Sequence, residues 1–207
     1  MAFKILDPYP RRPHLEFYRD NPAPFYAVTY ALAATRVRAR ARALGFSTYA
    51  ALCWTFHRAM LGIEAFRVRL DGENVVLHDQ LRIGMTVPAP GRTFTFATFE
   101  WDGSAERFLR RAVEVMAQAS AGVDLGGGAA PDFAYYTSAP KVPFTGITHV
   151  RHKDPRAGQP MTAFGKFSEV NDKVWVPVGI QVNHMYVDGA DMGDLYEAAE
   201  ASFREAF

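Results

Sequence analysis

A histidine near the C-terminal end of the chain has the type and spacing needed for proton transfer. His184 closely follows an apolar run from Val174 to Val182, and Asp188-Gly189 comes four residues later. Because an imidazole titrates near neutral pH, a histidine at the end of a buried strand can accept the proton of a substrate hydroxyl. Chance alone supplies this spacing in roughly one or two of a hundred chains of this length. The rest of the chain must therefore support the interpretation.

The composition limits the other classes of function. The 207 residues indicate one domain or at most two, and 23 basic against 22 acidic side chains give no general sign of nucleic-acid or membrane binding. The single cysteine, Cys53, excludes an internal disulfide and a multi-cysteine metal site. No segment has the length of a membrane span, and the N-terminus lacks a signal-peptide pattern. We expect a single-domain cytoplasmic protein, residues 1–207, that binds no metal.

Three other patterns have ordinary structural explanations. Arginines at alternate positions from Arg36 to Arg42 lie on opposite flanks of a helix, because a two-residue step turns about 200°. That arrangement favours a solvated helix over a nucleic-acid arm. Cys53 and His57 are one helical turn apart on an apolar helix, so we interpret them as core residues. Gly126-Gly-Gly128 lacks the Gly-Lys-Ser/Thr sequence of a phosphate loop and predicts an ordinary loop.

The elements that must position His184 follow from periodicity and capping residues. Ser47 or Thr48 begins a helix with one apolar face, and Ser104 begins another over 105–120. Asp71-Gly72 predicts the turn of a hairpin. Further helices are predicted over 11–18, 35–44 and 190–203. Strands are predicted over 25–34, 85–87, 94–101, 133–137, 144–151 and 161–170, followed by the one that leads to His184. This order indicates an α+β fold.

Several segments together resemble the chloramphenicol acetyltransferase family over nearly the full chain. The segment around His184 is similar to that family's His-His-x-x-x-Asp-Gly motif, with Asn183 in place of the first histidine. Further matches occur in the same order and at near-equal spacing in Arg11-x-x-His14-x-Glu16, Glu64-Ala-Phe66-Arg67, Asp71-Gly72, Pro160-Met-Thr-Ala-Phe-Gly165-Lys-Phe and Val176-Pro177-Val-Gly-Ile180-Gln181-Val. Each match is modest, and their shared order makes the resemblance specific.

The resemblance implies a fold, an activity and an assembly. It implies a mixed β-sheet flanked by helices, in a homotrimer whose active sites lie at the subunit interfaces. The donor would be acetyl-CoA, a cosubstrate, with no permanently bound cofactor. The acceptor would be a hydroxyl of a small molecule, chloramphenicol or another. His184 would act as general base, so that the hydroxyl attacks the thioester directly and no acyl-enzyme forms.

The resemblance matches each catalytic position of the family to one residue of this chain. Asp188 matches the motif aspartate, which in the family pairs with an N-terminal arginine, here Arg11. Thr137 falls on the serine that donates a hydrogen bond to the oxyanion, although the neighbouring Ser138 is an alternative. A second family hydroxyl falls on Ala163, so that interaction is lost, although Thr162 is adjacent.

The coenzyme and acceptor positions diverge more. Tyr49 and Phe167 match aromatic positions near the coenzyme, and Lys141 replaces a tryptophan there. Phe167 also fits ordinary packing, and Lys141 is either a partner for a CoA phosphate or a solvated lysine. The acceptor pocket would be formed by Phe17, Tyr18, Tyr26, Phe94, Ile147, His149 and Met161. His149 and Arg151 would suit a polar or anionic acceptor, unless a register shift turns Arg151 to solvent.

Two other functions remain open at this point. Ala163 and Pro143 differ from the family pattern, so the chain could be a small-ligand-binding protein of the same fold with weak or lost catalysis. A dihydrolipoyl acyltransferase core shares the His-x-x-x-Asp-Gly motif. The sequence shows no lipoyl domain or linker ahead of the core, which makes that interpretation weaker.

Overall fold

A computed structural model describes residues 2–122, 130–150 and 152–207, apart from the side chain of Arg92. Five α-helices are α1 (Arg12–Tyr18), α2 (Thr35–Ala43), α3 (Thr48–Leu61), α4 (Ala105–Ser120) and α5 (Gly189–Glu205). Ten strands are β1 (Phe3–Ile5), β2 (Phe25–Ala33), β3 (Val68–Asp71), β4 (Asn74–His78), β5 (Arg82–Ala89), β6 (Thr93–Phe99), β7 (Phe133–Ser138), β8 (Met161–Phe164), β9 (Ser168–Val170) and β10 (Lys173–Asn183). Short 3₁₀ turns cover Glu64–Arg67 and Pro90–Arg92.

The strands form two sheets, and the larger one positions the site. Its order is β2-β10-β8-β7-β5-β6, and β9 pairs with one end of β10. β7 pairs in parallel with both β5 and β8, while the other pairs are antiparallel, so the sheet is mixed. The smaller sheet has the order β1-β4-β3. The predicted hairpin is its β3–β4 pair, which turns at Gly72, where φ is +59°.

The helices pack on one face of the large sheet. Val178, Ile180 and Val182 of β10 point toward that layer and are almost fully buried. α3 and α5 pack together in the layer, and α4 packs on β5 and β6. Side chains alternate along a strand, so Gly179 and Gln181 point to the opposite face. Among the described residues, that opposite face carries coil instead of a helix.

The predicted caps and core residues agree with the structure. The Ser47 and Ser104 side chains accept backbone N–H bonds at the first turns of α3 and α4. Cys53 and His57 are completely buried. Burial lowers the pKa of His57 to about 3, against a hydrogen bond to the Leu81 backbone, so this imidazole is a neutral core group.

The arginines of α2 make local contacts. Arg38 donates to Glu169 at 2.8 Å, and the Arg40 guanidinium lies over the Phe207 ring at 5.3 Å. These side chains are therefore directed into separate contacts instead of forming one basic surface. No helix in the described part of the chain is long and apolar enough to cross a bilayer.

The prediction of a strand over 144–151 was wrong. Residues 144–150 are coil that lies on the face opposite the helices, and Arg151 is outside the described residues, as is the predicted loop at 126–128. A Cβ at Gly179 would lie 2.1 Å from Ile147 Cγ2, so the glycine permits this close approach. The predicted strand over 161–170 is two strands, β8 and β9, separated by residues 165–167.

Candidate active site

His184 lies immediately after β10, at the start of a tight turn. Its backbone N–H donates to the Pro24 carbonyl at 2.7 Å, which fixes the end of β10 against the start of β2. The Tyr18 ring stacks on the imidazole with centroids 4.7 Å apart, and the Tyr26 ring lies at 4.7 Å on a tilted plane. The imidazole is half-buried between two aromatic rings. A base in this position is restrained in orientation and still open to a substrate.

Asn183 fixes the turn that carries His184. Its side-chain Nδ2 donates to the carbonyls of Pro155 and Ala157 at 2.7 and 3.0 Å, and its Oδ1 accepts the Met185 N–H at 2.9 Å. The Tyr186 hydroxyl adds a bond of 2.6 Å to the Arg156 carbonyl in the same segment. An amide supplies these donors and acceptor at once, which explains how asparagine serves at this position.

Asp188 and Asp191 close the turn as a capping box at the start of α5. Asp188 accepts the N–H groups of Ala190 and Asp191, and Asp191 accepts the N–H of Asp188 at 2.7 Å. Arg11 bridges both carboxylates, at 2.9 Å from Asp188 and 2.8 Å from Asp191. The arginine that begins the N-terminal helix region is thereby tied to the loop that follows His184.

The charge of Asp188 is stabilised in this arrangement. Partial burial raises the pKa of Asp188, but backbone N–H bonds from Asp191 and Ala190 and the charge of Arg11 outweigh it, so the pKa is lowered. Burial raises the pKa of Tyr26 to about 12, and the nearby Asp188 charge adds to the shift. Tyr26 therefore stays a neutral hydroxyl beside the imidazole at physiological pH.

Thr137 lies in a different part of the sheet, near the end of β7. Its Oγ1 is 2.7 Å from Thr86 Oγ1 on β5. A pocket of about 390 Å³ opens here, lined by Thr86, Val87, Pro88, Thr93, Phe94, Thr137, Ser138 and Pro140. Because the hydroxyl is partly exposed beside this pocket, it can donate a hydrogen bond to a bound group.

The strand register separates Thr137 from His184. In the strand register, Thr137 pairs with Ala163 on β8, and Ala163 pairs with Gly179 on β10. Asn183 lies four residues further along β10, which is about 13 Å along the strand and about 10 Å across the two strand spacings. Side chains cannot close a gap of this size around one carbonyl group. Within one copy, the base and the hydroxyl therefore face different places.

The structure separates the residues predicted to contact the coenzyme. Tyr49 begins α3 and donates its hydroxyl to the Tyr136 carbonyl at 2.8 Å. Phe167 is partly buried under the Arg38 guanidinium at 5.3 Å, and Lys141 is exposed in the coil after β7. Tyr49 is thus bonded to β7, the strand that carries Thr137, and Lys141 is four residues beyond Thr137.

The predicted acceptor residues fall into two groups. Tyr18 and Tyr26 contact His184, and Phe17, which is 78 % exposed, packs edge-on against Tyr18. The others lie elsewhere on the sheet, namely Phe94 in the Thr137 pocket, Met161 at the start of β8, and Ile147 and His149 in the coil over β10. One group therefore lies beside His184, and the other lies elsewhere on the sheet, as Thr137 does.

His149 is held over β10 as a neutral imidazole. Its backbone N–H donates to Gln181 Oε1 at 3.0 Å, and burial lowers its pKa against a hydrogen bond with Gly179. Its Nε2 is buried and has no hydrogen-bond partner among the described residues. Thr162, the alternative to the missing hydroxyl at Ala163, points into the core and is completely buried.

Comparison with known proteins decides the family. A family model described as chloramphenicol acetyltransferase matches residues 1–198. The chain belongs to the chloramphenicol acetyltransferase family. It is an acyltransferase of that family, with acetyl-CoA as its cosubstrate, and the predicted mixed sheet flanked by helices is confirmed.

Curated relatives and solved structures agree with the assignment. A chloramphenicol acetyltransferase of Streptomyces acrimycini is 28% identical over 192 residues, covering 89% of this chain and 86% of the relative. One of Clostridium perfringens is 22% identical, covering 97% and 94%. A solved chloramphenicol acetyltransferase superposes with a TM-score of 0.87 at 21% identity, covering 98% and 100%. The cubic core of a pyruvate dehydrogenase complex shares the fold at a TM-score of 0.64 and 14% identity, covering 93% and 86%.

Two features of this family member were not found from its sequence. The contact between Thr86 and Thr137 joins strands 51 positions apart and depends on their register. The contacts of Asn183 with 155–157 depend on the path of a coil that has no periodicity. Within the described residues, no group of three or more histidine, cysteine or acidic side chains could hold a metal ion.

Proposed function

We propose that this protein is an O-acetyltransferase that moves an acetyl group from acetyl-CoA directly to a hydroxyl of a small molecule. The observation that carries the proposal is His184 itself. It lies half-buried between the Tyr18 and Tyr26 rings, on a turn whose backbone is bonded on both sides. This arrangement supports its role as general base.

The residues around His184 and around Thr137 together support the following reaction. His184 accepts the acceptor's hydroxyl proton as the oxygen attacks the thioester carbonyl carbon. The carbonyl becomes a tetrahedral oxyanion, and the Thr137 hydroxyl stabilises it with a hydrogen bond. When the intermediate collapses, the carbon–sulfur bond breaks and the imidazolium returns its proton to the departing CoA sulfur. Arg11 and Asp188 hold the turn in the required orientation.

The separation of His184 from Thr137 supports a site formed by two subunits. Each copy would supply its base to one site and its Thr137 hydroxyl to the next. An arrangement of this kind joins different surfaces of identical chains, and it closes into a ring when the rotation permits. A homotrimer provides three such sites.

The sheet face opposite the helices supports the same assembly. Phe25, Phe96, Tyr135 and Met161 are only partly buried on the described structure of one copy, and Phe94 is 50 % exposed. Large apolar side chains left partly exposed on one face are typical of protein interfaces. A second copy packed there would bring another His184 toward the Thr137 pocket.

The acceptor site would have aromatic walls, and chloramphenicol is one candidate acceptor. Tyr18, Tyr26 and Phe94 supply apolar surface. The alternative function, ligand binding with weak or lost catalysis, is favoured by Ala163, which lies beside Thr137 and supplies no hydroxyl.

A thiol-release assay distinguishes the two functions. The wild-type protein is mixed with acetyl-CoA and a panel of hydroxylated acceptors that includes chloramphenicol, and free CoA is measured with a thiol reagent. We expect acceptor-dependent release by the wild type and none by His184→Ala. Release that persists in the variant would contradict the proposed base. Binding of an acceptor with no release by the wild type would establish the alternative.

A further inference from the structure

Thr86 carries a hydroxyl that the proposed reaction does not use. It lies on β5 and shares the 390 Å³ pocket with Thr137. The two Oγ1 atoms are 2.7 Å apart, which is a normal distance for an O–H···O hydrogen bond. β5 and β7 are parallel neighbours with Met85 aligned to Tyr136, so Thr86 and Thr137 lie side by side on the same face of the sheet.

The groups around Thr86 determine where its single proton goes. The Tyr136 carbonyl lies 3.5 Å from Thr86 Oγ1, at the outer limit of a hydrogen bond, and it accepts a much closer bond from the Tyr49 hydroxyl at 2.8 Å. The Thr137 oxygen is closer to Thr86 Oγ1 than the carbonyl oxygen is, at 2.7 Å against 3.5 Å, so the bond to Thr137 is the best use of the Thr86 proton.

The direction of this bond affects what Thr137 can do. A threonine hydroxyl has one proton to donate and two lone pairs that accept. If Thr137 donated to Thr86, it would have no proton left for an oxyanion. If Thr86 donates, Thr137 accepts on its oxygen and keeps its own proton for the pocket. A hydroxyl that accepts a hydrogen bond also becomes a stronger donor.

We propose that Thr86 is a positioning residue: it donates to Thr137 Oγ1 and thereby directs the Thr137 proton toward the oxyanion of the tetrahedral intermediate. The inference rests on the proposed function and deepens it, because it explains how a rotating hydroxyl is held ready for charge that exists only during the reaction. It also assigns an order to the network, from the Tyr49 and Tyr136 support through Thr86 to Thr137.

The test is a double-mutant cycle with a conservative rescue. Thr86→Val and Thr86→Ser are made in the wild type and in Thr137→Val, and kcat and the KM for acetyl-CoA are measured for each protein. We expect Thr86→Val to lower kcat about tenfold with little change in KM, because one neutral hydrogen bond acting on the transition state is lost. Thr86→Ser keeps the hydroxyl and should retain most of the activity.

The Thr137→Val background separates positioning from other roles. In that background Thr86→Val should have no further effect, because there is no hydroxyl left to orient. An equal tenfold loss in both backgrounds would overturn the proposal, as would unchanged kcat in Thr86→Val. Full activity in Thr137→Val alone would instead contradict the oxyanion role of Thr137 in the proposed function. Thermal unfolding of each variant shows that the comparison is made between folded proteins.

Discussion

The two halves of the candidate site are built in different ways. The base half, around His184, is held by a capping box, two ion pairs and a side-chain amide, and these bonds come from three separate segments of the chain. The hydroxyl half, around Thr137, depends on the register of two neighbouring strands and one short contact to Thr86. A base must be held at a fixed angle, whereas a hydroxyl needs only a fixed oxygen and a directed proton.

Removing the imidazole should produce the largest effect. We expect His184→Ala to lower kcat by about 10³- to 10⁴-fold, because general base catalysis is lost while the fold remains. Steady-state thiol release measures this. His152→Ala is a control in the coil before β8, where the imidazole accepts the Asp154 N–H at 3.2 Å, and it should retain activity. A smaller than tenfold loss in His184→Ala would mean that the base half has been assigned to the wrong residue.

Removing the proposed oxyanion donor should lower the activity less than removing the proposed base. We expect Thr137→Val to lower kcat by about 10²- to 10³-fold with little change in the KM for acetyl-CoA, because the lost bond forms in the transition state. Ser138→Ala is the matched control, since Ser138 is adjacent and exposed. If Ser138→Ala has the larger effect, the hydroxyl half is centred on Ser138 instead.

The two halves should also differ in their contribution to stability. Asp188→Ala removes the acceptor for two N–H groups at the start of α5, so we expect it to lower the free energy of unfolding by about 1 kcal/mol. Thr137→Val breaks no cap and should change stability by less than about half as much. Urea unfolding of both variants provides the measurement. Equal losses of unfolding free energy in the two variants would show that the two halves do not differ in their contribution to stability.

The smallest expected effect is a change of stability with pH. The folded-state pKa of Asp188 is lowered from 3.8, so its charge stabilises the folded protein above that pH, and the contribution is lost as the pH falls through the folded-state value. The stability advantage of the wild type over Asp188→Asn should therefore shrink below about pH 3.8. An advantage that grows with acid would contradict the stabilised charge.

The comparison also explains what the sequence could and could not predict. The base half is encoded in short contiguous segments, so the turn after the last strand and a helix from about residue 190 were predictable from capping and apolar periodicity. Thr86 and Thr137 meet only because β5 and β7 are aligned in one register, and no local pattern specifies that alignment. Asn183 could be recognised as a substitution in a motif, but its partners at 155–157 could not.

The wrong strand at 144–151 has a physical cause. Phe144, Ile147 and Val150 gave the segment an extended, apolar pattern, yet among the described residues it pairs with no strand. Instead, Ile147 packs onto Gly179 and the His149 N–H bonds to the side chain of Gln181. Apolar residues can cover a sheet by side-chain packing alone, and periodicity does not distinguish this from a strand.

The most direct test of the account is the activity of mixed oligomers. His184→Ala and Thr137→Val subunits are unfolded together, refolded at equal amounts and assayed for acceptor-dependent CoA release. If each site takes its base from one subunit and its hydroxyl from the next, every mixed trimer contains one intact site, and random mixing should restore about a quarter of wild-type activity. Activity no higher than the average of the two separate variants would contradict a site shared between subunits.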